Sequence, residues 1–84
     1  QVVNDLDKAL NILLSLDSDS YDGINKEIAS LYNSISISKW NIKPYGAKLG
    51  YCDDLEKSLM YYVKHNPNSF WIDIINKKIQ KDCN

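Results

Sequence analysis

An all-α fold of four helices is predicted for this 84-residue chain by three observations. Apolar residues recur at steps of three and four in four separate segments. Stretches rich in Asp, Ser, Gly, Asn and Pro part those segments, and the two cysteines bracket the last two of them. The expected architecture is one compact domain over residues 1–84, with a long ordered loop at about 36–50 and a C-terminal antiparallel helical hairpin. No repeat or linker divides the chain, and no apolar run approaches the roughly 20 residues that cross a bilayer.

The first stripe is Val2, Leu6, Ala9, Leu10 and Leu13, widened by Leu14 and Leu16. It predicts a helix over Val2–Leu16, with Asp5 and Asp7 near the end where the helix dipole favours carboxylates. Asp17-Ser18-Asp19-Ser20 then ends the period, because these side chains compete for backbone hydrogen bonds. Ile24, Ile28, Leu31 and Ile35, flanked by Tyr21 and Tyr32, predict a second helix over Tyr21–Ser34. Ser20 or Asp22 is its expected N-cap, with Gly23 in the first turn.

Ile35-Ser36-Ile37-Ser38 alternates with period two, as a half-buried strand does, and equally fits one more helical turn. A lone strand lacks a partner, so residues 36–50 read mostly as loop, punctuated by Pro44, Gly46 and Gly50. Trp40, Ile42, Tyr45 and Leu49 make that loop apolar, and it must pack on something. Leu55, Leu59, Tyr62 and Val63 predict the third helix, Asp53–Lys64, with Asp53, Asp54 and Glu56 at its start. Pro67 within His65-Asn66-Pro67-Asn68 sets a turn. The fourth helix is expected over Ser69–Lys81, with Phe70, Trp71, Ile74, Ile75 and Ile79 facing inward.

Cys52 precedes the third helix and Cys83 follows the fourth. The two legs of the hairpin are near-equal, about 20–22 Å each as helices, so its open ends meet and a Cys52–Cys83 disulfide can close them. The other reading is two separate thiols in a reducing compartment. A bridge implies a periplasmic or secreted protein, and its absence a cytoplasmic one. A chain beginning at Gln1 rather than Met fits a processed or trimmed protein, and a removed signal peptide would fit the bridge.

Composition narrows the chemistry. All ten basic residues are Lys, and the net charge is −1. Without Arg the chain lacks the planar fork that reads phosphate and guanine, which argues against nucleic acid as a partner. Residues 1–38 set two Lys against six acids, net −4, while residues 39–84 set eight Lys against five acids, net +3. Asp17 to Gly23 partly matches a calcium loop, but the glycine falls one place late and the closing glutamate position is Ile28. One His and two distant Cys make no zinc set, and three glycines form no phosphate loop. No metal, cofactor or catalytic residue is expected, and the chain is read as not an enzyme.

Nine aromatic rings are more than so small a core encloses, and Tyr and Trp favour binding hot spots. The candidate partner-binding residues are therefore the acidic Asp17, Asp19 and Asp22 with the aromatic Trp40, Tyr45, Tyr51 and Tyr61. From Cys52, through a helix, His65-Asn66-Pro67 and a second helix to Cys83, the chain resembles periplasmic immunity proteins of contact-dependent secretion systems. That resemblance, with the charge asymmetry, implies a toxin-neutralising protein that occludes a partner, with a basic toxin domain as the candidate. The alternatives are a small helix-turn-helix DNA-binding regulator of phage or plasmid type, and a structural domain of a larger chain. The sequence leaves the oligomeric state open.

Overall fold

The computed structural model describes residues 2–16, 23–41 and 50–83. Within them the chain forms α1 (Val2–Leu14), α2 (Ile24–Trp40), α3 (Tyr51–His65) and α4 (Phe70–Asp82), and no strand. Among the described residues only consecutive helices come into backbone packing contact, and α2 against α3 is the most extensive pair. The helices build an open array rather than a closed bundle, and the chain fills a slab of 38 × 29 × 13 Å.

The α2–α3 contact is close because small residues meet there. Ala29 and Ser58 are each 0% exposed. The Ser58 hydroxyl donates to the Ala29 carbonyl oxygen at 2.7 Å, a side-chain bond into the backbone of the facing helix. Around this seam lie two apolar clusters. One joins Leu10 of α1 to Ile24, Ile28, Tyr32 and Ile35 of α2. The other joins Ala29 to Tyr51, Leu55 and Tyr62 of α3 and Ile75 of α4. Full burial of Leu55 or Ile75 contributes about 1.5–3 kcal/mol each.

The expected loop over 36–50 is corrected at its start, because α2 continues through Trp40. The alternation that mimicked a strand has a helical cause. As one of two inner helices, α2 is covered by α1 on one side and α3 on another, so Ile35 and Ser36 are both buried although about 100° apart. Ser36 satisfies its hydroxyl locally by donating to the Asn33 carbonyl oxygen at 2.6 Å. The remainder of the expected loop, residues 42–49, lies outside the described residues.

Two glycines set helix starts. Gly23 and Gly50 precede α2 and α3 with φ of 86° and 90°, in the left-handed region that L side chains rarely adopt. Thus Gly23 is the N-cap of α2 rather than part of its first turn, and α3 begins at Tyr51, two residues before the expected Asp53. Ser69 caps α4 by accepting from the Trp71 backbone N–H at 3.3 Å. The preceding turn is held by the Asn66 side-chain oxygen, which accepts from the Asn68 N–H.

Val63 and Phe70, expected inward, are exposed. Val63 lies on a flank of α3 beyond both neighbours, and α4 buries only the narrow stripe that one neighbouring helix can cover. Leu14 and Leu16 are likewise exposed, since α1 packs on α2 alone. Where a second neighbour is missing for α4, a covalent bond stands in. Cys52 and Cys83 are disulfide-bonded, with Cα atoms 5.9 Å apart.

Two stability measurements check this account. Ala29→Leu forces α2 and α3 apart and is expected to cost about 1–3 kcal/mol in urea unfolding, against a change within about 0.5 kcal/mol for the exposed control Ile12→Ala. Reduction of the disulfide, which closes a loop of about 30 residues, is expected to remove about 3–4 kcal/mol and to lower the urea midpoint accordingly.

Candidate functional site

The end of α2 and the start of α3 meet at the end of the array where Cys83 lies. There the Lys39 ammonium of α2 pairs with the Asp54 carboxylate in the first turn of α3, at 2.7 Å. Both side chains are largely withdrawn from water, so the attraction is screened less than at an open surface. One residue on, the Trp40 ring lies 4.7 Å from the Tyr51 ring. Tyr51 is 3% exposed and its hydroxyl donates to the Asp82 carboxylate at 2.8 Å. Ion pair, ring pair, hydrogen bond and disulfide therefore fix three helix ends together.

Burial above all, then the hydrogen bond and the charge of Asp82, push the Tyr51 phenol up to about 12. Burial likewise raises Tyr32, aided by the charges of Tyr61, Asp54 and Asp7. It raises Tyr62 as well, where the hydrogen bond to Ser30 pulls the other way.

Beside Trp40 and Tyr51 opens a cavity of about 280 Å³, walled by Ile37 of α2 and by Lys78, Lys81 and Asp82 of α4. A second cavity, of about 350 Å³, lies at the other end of the helices. Lys26 of α2 meets Tyr62 and His65 of α3 and Phe70 and Trp71 of α4 there. Its aromatic lining is continuous, because Trp71 stacks on Tyr62 at 6.0 Å and Phe70 lies 5.1 Å from Trp71. Among the described residues no three His, Cys, Asp or Glu side chains converge as a metal site.

The structure brings two of the candidate binding residues together, Trp40 and Tyr51. Tyr61 lies elsewhere, against the α1–α2 cluster, stacked on Tyr32 at 5.8 Å with the Lys64 ammonium 4.9 Å from its ring centre. Asp17, Asp19, Asp22 and Tyr45 lie outside the described residues. Sequence reasoning passed over Lys26, Trp71, Lys78 and Lys81 as lining residues. Steps of three to Trp71, Ile74 and then four to Lys78 were a legible helical stripe. Its solvent-side role depended on how little of α4 its one neighbour covers.

The raised Tyr51 value has a definite sign in stability. The folded protein keeps this proton to higher pH than the unfolded chain, whose tyrosine titrates near 10.0. The contribution is complete below that pH and is lost as pH rises towards about 12. Tyr51→Phe is expected to cost about 1–2 kcal/mol at neutral pH and to flatten the loss of stability across that alkaline window, as read by urea unfolding. No protein-family model, no curated protein and no solved structure matches this chain.

Proposed function

We propose that the chain is a non-catalytic protein-binding module, of the toxin-neutralising immunity type, that acts by occluding a partner protein. The observation that carries this reading is the set of large apolar side chains left in solvent. Phe70 is 66% exposed and Ile12 65%, with Met60 and Val63 side by side on the outer face of α3. A core this small is short of apolar burial, so leaving such residues outside works against folding unless another surface covers them. The net −4 of residues 1–38 favours a partner domain with a basic surface.

The disulfide supports a setting outside the reducing cytosol, in the periplasm or beyond the cell. No described helix is long and apolar enough to cross a membrane. The DNA-binding alternative draws less support. A helix-turn-helix sets its helices at about 90–120°, whereas the bond between Cys52 and Cys83 holds the outer ends of α3 and α4 together.

The test is co-expression with the products of adjoining reading frames, followed by calorimetry on any complex. Binding of one product, with relief of its toxicity, is the expected result. Met60→Ser with Val63→Ser should weaken that complex while changing domain stability by no more than about 0.5 kcal/mol per site. Binding of duplex DNA with a steep loss at raised salt, and of no neighbouring product, is the result against the proposal.

A further inference from the structure

Beside the turn that joins α3 to α4, the cavity of about 350 Å³ is walled by three aromatic rings and one ammonium group. Tyr62 is its buried wall, 3% exposed, with its side chain hydrogen-bonded to Ser30 of α2. Trp71 stacks on Tyr62 with 11° between the ring planes, and the Phe70 ring lies 5.1 Å from that of Trp71. Phe70 and Trp71 are consecutive and so point about 100° apart around α4. Trp71 turns to α3, and Phe70, 66% exposed, is left at the open side of the cavity.

The ammonium is that of Lys26, four residues before Ser30 and so on the same face of α2. Lys26 forms no ion pair among the described residues. The other lining side chains are His65, Asn66, Asn68 and Ser69, so no carboxylate in the lining balances it. The volume is at the lower end of the roughly 300–1,000 Å³ of ligand sites, room for one large side chain and not for a folded element.

Exposed rings beside an unpaired cation match an aromatic side chain that has a carboxylate next to it. Ring meets ring at little cost in rotamer freedom, and the ammonium meets the charge. A nucleic-acid strand asks for more, a basic groove that follows its phosphates beside the stacking rings. This cavity has one lysine, in a chain without Arg and with a net charge of −1.

We propose that this cavity is the anchor site for an aromatic side chain of the protein partner, flanked in the partner by a carboxylate. The ring seats against Trp71 and Phe70, and the carboxylate meets Lys26. This rests on the protein-binding reading but not on the toxin assignment. It gives the exposed Phe70 a defined occupant and names the residue type that the partner must present.

Trp40→Phe leaves Trp71 as the sole tryptophan, in the wall of the cavity, and its emission is the readout. The probe is a blocked pentapeptide with Phe at its centre, Glu on both sides and Gly at the ends, titrated into the intact oxidised protein. A saturable shift is expected. The peptide with Ala at its centre, or with Lys in place of Glu, should bind about tenfold or more weakly. Lys26→Glu and Phe70→Ser should each weaken the first peptide about fivefold or more, and Lys81→Glu, at the other cavity, by less than about twofold. All three positions are exposed, so the variants should keep the fold, which circular dichroism checks.

No saturable shift, equal binding of the Ala or Lys peptide, or equal weakening by Lys81→Glu overturns the anchor site. So does phenylacetate or an oligothymidylate that binds as tightly as the peptide, since the cavity then takes a small acid or a nucleic-acid strand. If Lys26→Glu and Phe70→Ser leave the complex with a neighbouring gene product intact, the anchor proposal falls and the protein-binding reading stands.

Discussion

The close approach of α2 to α3 is the constraint on which the other contacts depend. It exists because Ala29 and Ser58 present almost no side-chain bulk, and because Ser58 turns what bulk it has into a hydrogen bond to the facing carbonyl. Such a bond contributes about 1 kcal/mol, less than the apolar burial around it, but it sets spacing and register. With α2 and α3 fixed, α1 finds the flank of Ile24, Ile28 and Ile35, and α4 finds Leu55 and Tyr62. Neither outer helix has another helix to pack on among the described residues. The domain thus has a rigid centre and two wings that each depend on it.

Helix number, order and the bridged hairpin were legible in the sequence, because each outer helix has one covered face and so one clean stripe. Leu6, Leu10 and Leu13 mark it in α1, and Trp71, Ile75 and Ile79 mark it in α4. Of the two inner helices, α2 was the harder for the same physical reason. Two covering neighbours widen the buried arc of α2 until Ile35 and Ser36 both fall inside it, and a periodic stripe dissolves into alternation. Ser36 and Ser58 went unseen as core residues, since a serine is buried only when a carbonyl is within reach, and that carbonyl is a feature of the fold.

The candidate site divides along similar lines. Trp40 and Tyr51 were singled out as aromatic residues and prove to be neighbours, but Tyr51 belongs to the core and only lines the cavity beside it. Tyr61 is occupied by Tyr32 and Lys64 on another side of α3. What composition could not convey was the pairing of α2 with α4 across α3. Lys26 and Trp71 are far apart in the chain, and only the fold brings them to one cavity.

The two helices that flank α3 are held unequally. The last turn of α2 is tied to α3 through Lys39 and Asp54. Helix α4 hangs on α3 by a short apolar stripe, the Asn66–Ser69 turn at one end and the disulfide at the other. Remove the disulfide and α4 keeps one anchored end, so its Lys78–Lys81 end loses its place before the Trp71 end does. The staple that a small core needs for stability is therefore also what fixes the last turns of α4 against the rest of the domain.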